Sequence, residues 1–242
     1  MFTLLKKEIN SFLNSLIGYI VICVFLIITG LFLWVFNTDF NIINYGYAGL
    51  DGFFMLAPFV FLFLIPAITM RSFAEEKKTG TVEIILTKPL TDLKIILAKF
   101  FASLFLVFFS LLPTLIYFIT INIFALPPGV DIGATWGSYI GLLFLSATFV
   151  AIGIFCSSFT DNQIVAFILS VFLCGFSYIG FDLIYQMFGK ADLLVKSLGI
   201  NTHYTSMSRG VIDTRDIIYY LSFISLFIIL TKISIEKRKW SH

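Results

Sequence analysis

The sequence predicts an all-α integral membrane protein with six spanning helices and both termini on the cytoplasmic side. Hydrophobic residues make up 59% of the chain and charged residues only 12%, about half the charged share of a soluble domain. Apolar runs are long enough to cross the hydrocarbon, which takes roughly 20 residues rising 1.5 Å each. Lysine and arginine are distributed unevenly among the connecting loops, and that pattern fixes the orientation.

Residues 1–16 read as an amphipathic interfacial helix. Phe2, Leu5, Ile9, Phe12, Leu13 and Leu16 recur at helical spacing, with Lys6, Lys7, Asn10 and Asn14 on the other side, as suits a helix lying on a membrane surface. Residues 17–242 form one six-span domain, with spans at about 17–36, 52–70, 95–125, 137–158, 163–182 and 217–235. No water competes for backbone groups inside lipid, so each run is expected to be helical. The runs are continuously apolar rather than alternating, which excludes a β-barrel. The first run is too long for the apolar core of a cleaved signal peptide, and no small-residue cleavage site follows it.

Lys6 and Lys7 flank the first span, and Lys232, Lys237, Arg238 and Lys239 close the last one. The second loop and its edges carry Arg71, Lys77, Lys78, Lys88, Lys94 and Lys99, whereas the first and third loops carry no basic residue. The positive-inside rule therefore places both termini and the 71–92 loop in the cytoplasm. Trp34 and Trp136 then fall at the outer interface and Trp240 at the inner one. The outer segment 183–216 contains Leu193, Leu194, Val195, Leu198 and Ile200, read as short helices broken at Gly189, Gly199 and Gly210. Its Asp182, Arg209 and Arg215 read as interface anchors or partners of Asp213 and Asp216. Ser157 to Gln163 read as a short polar loop between spans four and five.

Catalytic constellations are missing from the sequence. It contains no GxxxxGK[ST] phosphate loop, no HExxH and no GxSxG, and its histidines are His203 and His242. The spans carry no ionisable residue away from their ends, which argues against a proton relay. Cys23, Cys156 and Cys174 have no CxxC spacing and read as small buried hydrophobes. No metal site or cofactor is expected in the chain. No internal repeat relates the first three spans to the last three. Pro58, Pro66 and Pro113 lie within spans and are potential kinks.

The stretch Arg71–Asp92, RSFAEEKKTGTVEIILTKPLTD, concentrates charge between two apolar runs. Gly80 can end a helix descending from span two by taking the left-handed conformation. Thr81 can cap a second short helix, with Val82, Ile85 and Leu86 on one face and Glu83 on another. Pro89 stops that helix, and Thr91 can cap span three with Asp92 in its first turn. From these residues alone the loop is either a lever between spans two and three or a topogenic positive loop with an interfacial helix.

The pattern EEKKTGTVEIILTKPLTDLKIILAKF, from Glu75 to Phe100, resembles the loop after the second span of ABC-2-type transporter permeases. LLKKEINSFLNSLIGYIV at the N-terminus is similar to that family's entry helix, and HYTSMSRGVIDTRDIIYYLSF is similar to its approach to the last span. Among subgroups the chain resembles most the gliding-motility-associated permeases of Bacteroidetes-type bacteria. The permeases of nitrous-oxide-reductase maturation are close competitors. The resemblance implies the type V-like ABC-2 permease fold in a bacterial inner membrane. It implies a second permease subunit, homomeric or heteromeric, and cytoplasmic ATPase subunits that hold the ATP and Mg. The chain itself would be no enzyme. Thr81–Thr87 would be the coupling helix, with Glu75, Glu76, Gly80, Thr81, Val82, Glu83, Ile85, Leu86 and Pro89 as the ATPase-coupling residues. The competing readings are a non-transporting membrane anchor that recruits a soluble partner and an ion-coupled secondary carrier.

Overall fold

A computed structural model describes residues 2–44, 48–81, 91–125, 129–187, 196–210 and 212–239. Among them, every regular element is a helix. Helix α1 (Phe2–Leu13) is separate from α2 (Leu16–Gly30). Ser15 makes the break: its hydroxyl donates to Phe12 O at 2.9 Å and accepts from Gly18 N at 3.2 Å, capping α2. A Cβ on Gly18 would lie 2.3 Å from Phe12 O, so only glycine permits this reversal.

Helix α2 runs on through a π turn, Leu31–Val35. Helix α3 (Asp51–Thr69) carries Pro58 and Pro66 without interruption. Pro58 has no N–H for the carbonyl four residues back, Phe54 O, and that oxygen instead accepts from the Tyr204 hydroxyl at 2.7 Å. A break at Met70 separates α3 from α4 (Arg71–Lys78). Gly80, with φ 70°, lies just beyond α4.

The apolar run expected as the third span is one candidate span, Asp92–Phe124, with a 3-10 turn inside it. Helix α5 (Asp92–Leu111) gives way at a 3-10 turn, Leu112–Thr114, to α6 (Leu115–Phe124). Pro113 sits in the turn, and Thr114 Oγ1 lies 3.1 Å from the Tyr139 hydroxyl of the next helix. That helix, α7 (Ile132–Phe159), is capped by Asp131, whose carboxylate accepts from Ala134 N at 3.0 Å. Helix α8 (Gln163–Gly175) continues through a π turn, Phe176–Gly180, into α9 (Phe181–Met187). Helices α10 (Ile200–Met207) and α11 (Thr214–Lys239) complete the chain.

Six helices among the described residues are long and apolar enough to cross a membrane. The fold is thus the expected all-helical membrane bundle. Helix α7 is its axis, packing against α3, α4, α5, α8, α10 and α11. In its most apolar stretch 78% of residues are buried, against 17% in α11. Small residues allow this closeness, as expected where lipid supplies no hydrophobic drive between helices. A Cβ on Gly153 would meet Thr69 Oγ1 at 2.0 Å, and one on Gly137 would meet Gly210 Cα at 2.8 Å. Gly210 itself has φ 84°. Helix α1 and the end of α11 lie at one end of the bundle, since α1 reaches the first half of α5 and Ser234 of α11 donates to Ser158 O at 3.2 Å.

Candidate coupling site at the terminal end of the bundle

Where α3 breaks at Met70, the first backbone amides of α4 lose their helical acceptors. Ser157, near the end of α7, replaces them. Its Oγ accepts from Phe73 N at 2.9 Å and from Ala74 N at 3.0 Å, and donates to Met70 O at 3.0 Å. One donor and two lone pairs are thereby all used. The residue is fully buried. The next carbonyl, Ser158 O, accepts from the Lys77 ammonium of α4 as well as from Ser234. Helix α4 is thus fastened to α7 at both its ends. The sequence suggests a polar loop for Ser157 and Ser158, but both belong to α7 and are buried.

A second fastening is ionic. Lys99 of α5 is only 3% exposed. Its Nζ lies 2.7 Å from Glu76 Oε1, 2.7 Å from Ser72 O and 3.5 Å from Glu8 Oε1, with the Phe73 ring centroid at 5.1 Å. One ammonium therefore joins α1, α4 and α5. Burial raises the Glu76 carboxyl above the usual carboxylate range, while the charge and hydrogen bond of Lys99 pull it down and Glu8 adds a smaller upward push. Two carboxylates share one cation in a place with little water, so each depends on Lys99 staying put.

Of the predicted coupling residues, the described residues include Glu75, Glu76, Gly80 and Thr81. Glu75 is exposed, whereas Glu76 faces Lys99. The Thr81 hydroxyl bonds back toward α4, to Glu76 O at 3.4 Å and Thr79 Oγ1 at 2.9 Å. Val82, Glu83, Ile85, Leu86 and Pro89 lie outside the described residues. Thr91 occupies the N-cap position of α5 without a side-chain capping bond, its carbonyl instead accepting from Lys94 N and Ile95 N.

The family model of the ABC-2 family transporter protein matches residues 2–236 of the chain. The chain belongs to the ABC-2 transporter family. Among curated proteins, none matches it. Within this ABC-2 chain, sequence reasoning missed Glu8, Ser72, Lys99 and Ser157 as a connected group. In the sequence Lys99 reads as a loop-flanking charge. Its spacing from Ile95, Ile96, Ala102, Ser103 and Leu106 puts it on the buried stripe of α5, and that was the available signal.

At the opposite end, the expected carboxylate–arginine pairs do not form among the described residues. Asp216, nearly buried, pairs with His203, Nδ1 to Oδ1 at 2.7 Å. His203 also stacks on Tyr219, with centroids 3.9 Å apart, and its Nε2 lies 2.8 Å from Ser197 O. Asp182 accepts from Asn201 Nδ2 at 2.7 Å, and Asp213 accepts from the backbone N–H of Arg215 at 3.0 Å.

Proposed function

We propose that this ABC-2 chain is the permease subunit of an ATP-driven transporter, coupled to separate cytoplasmic ATPase subunits through the segment that follows α4. Membership of the ABC-2 family supports the permease role and an ATPase association. The observation that carries the coupling reading is the double fastening of α4. A displacement of Thr81–Thr87 reaches α4 directly, and from there Ser157 leads to α7 and Lys99 to α5 and α1. The load therefore enters the bundle's axis as well as spans two and three.

In this reading both termini and α4 face the cytoplasm of a bacterial inner membrane, and two permease chains flank one pathway. ATP and Mg reside in the partner, which performs the hydrolysis. Val82, Ile85 and Leu86 seat in the ATPase, with Glu75 and Glu83 at the rim and Glu76 turned inward to Lys99. Either export or mechanotransmission fits this arrangement, and the subgroup resemblance points to gliding motility.

The test is Ser157→Ala in the reconstituted complex. It leaves the docking face intact but strips two amides and a carbonyl of their partner. ATPase capture should persist while the permease's influence on ATP turnover declines severalfold. Unchanged turnover with normal assembly would sever α7 from the load path.

A further inference from the structure

At the end of the bundle opposite the terminal helices, the π turn that ends α2, the first loop and helices α3, α6 and α7 line an open cavity of about 840 Å³. That lies within the roughly 300–1,000 Å³ range of small-molecule sites. Its walls are mainly apolar, with Trp34, Leu50, Phe54 and Ile121 among them, and two carboxylates, Asp51 and Asp131, stand on its lining. No lysine, arginine or histidine is among the described lining residues. The undescribed residues of the two adjoining loops, 45–47 and 126–128, include no basic residue either. Neither carboxylate has an ion-pair partner among the described residues, and one oxygen of Asp131 is engaged in capping α7.

We propose that this cavity is a binding site for an amphipathic organic cation, with its apolar body against Trp34, Phe54 and Ile121 and its positive charge between Asp51 and Asp131. Charge complementarity selects the occupant. An anionic amphiphile would meet two carboxylates and no compensating cation. A phospholipid would bring a phosphate for which the cavity offers no basic group. Trp34 on the lining is the aromatic type that attracts cations most strongly. Asp51 and Asp131 stand at the starts of α3 and α7 and are exposed, whereas Leu50, Phe54 and Ile121 are buried, and each full carboxylate charge exceeds the partial positive charge of its helix start.

The experiment uses the full chain, purified in an uncharged maltoside detergent, and equilibrium dialysis with tetraphenylphosphonium. Tetraphenylborate, of matching size and apolarity but opposite charge, serves as competitor. Saturable binding of about one cation per chain is expected, with no competition from the borate. Asp51→Asn combined with Asp131→Asn should weaken binding roughly tenfold. Asparagine at position 131 keeps the cap, so the fold survives. Thr120→Trp, which fills the cavity from its lining, should abolish binding without touching either charge. Equal binding of the borate, an unchanged affinity in the double variant, or the absence of saturable binding would each overturn the proposal. The isolated chain needs no ATPase for this measurement, so its outcome is independent of the coupling reading.

Discussion

Lys99 is the residue on which the terminal end of the bundle depends. Breaking a buried ion pair by removing one partner costs about 3–5 kcal/mol, because the remaining charge is left without compensation. Lys99→Met should therefore destabilise the protein by an amount in that range, read as a lowered midpoint of thermal unfolding in detergent. Glu76→Gln should be far milder, about 1 kcal/mol, since the amide oxygen can still accept from Lys99 and Glu8 remains nearby. Equal stabilities for both variants would mean that the cluster is not a shared-cation site. Lys99 was hard to recognise in the sequence because counting charges for topology treats Lys94 and Lys99 alike. Only their faces on α5 separate them, Lys94 being exposed and Lys99 buried.

At the scale of elements, long apolar runs announced the helices because lipid leaves the backbone no alternative. Their breaks were less legible. Pro58 and Pro113 are chemically alike, yet α3 keeps its α-helical form through the first and the third span tightens into a 3-10 turn at the second. The difference lies in partners far along the chain: Tyr204 satisfies the carbonyl that Pro58 leaves free, and Thr114 meets Tyr139 beside Pro113. No local pattern encodes either contact. Nor could the polar run that starts at Ser157 reveal that this residue, at the end of α7, holds α4, a bond between residues more than eighty positions apart. The glycines are more readable in retrospect. Gly153 brings α7 against Thr69 of α3, and Gly153→Ala would force its Cβ into that side chain. Overpacking of this kind costs about 1–3 kcal/mol. The variant should unfold at lower temperature, and Thr69→Ser, by removing a methyl group, should not rescue it fully because the clash includes the hydroxyl and Cβ.

For the whole molecule, the structure brings α1, α4 and the end of α11 to one side, and under the proposed topology, which rests on the lysine and arginine distribution, that side faces the cytoplasm. Single cysteines at Lys77 should react only from inside, and those at Asn44, Asp131 and Lys196 only from outside. Labelling at position 77 from outside would invert the topology and remove the lever from reach of any cytoplasmic ATPase. The central claim is that the segment after α4 docks such an ATPase and passes its motion into the bundle. Ile85→Asp tests it most directly, measured as capture of the ATPase by the purified permease together with ATP turnover in the reconstituted complex. A carboxylate buried without a partner in that contact costs several kcal/mol, enough to weaken docking by orders of magnitude. Membrane insertion should be unaffected, since the substitution falls between the spanning segments rather than within one. The account predicts a normally inserted permease that no longer holds the ATPase or influences its turnover. Wild-type capture and turnover would show that the loop serves only to set topology.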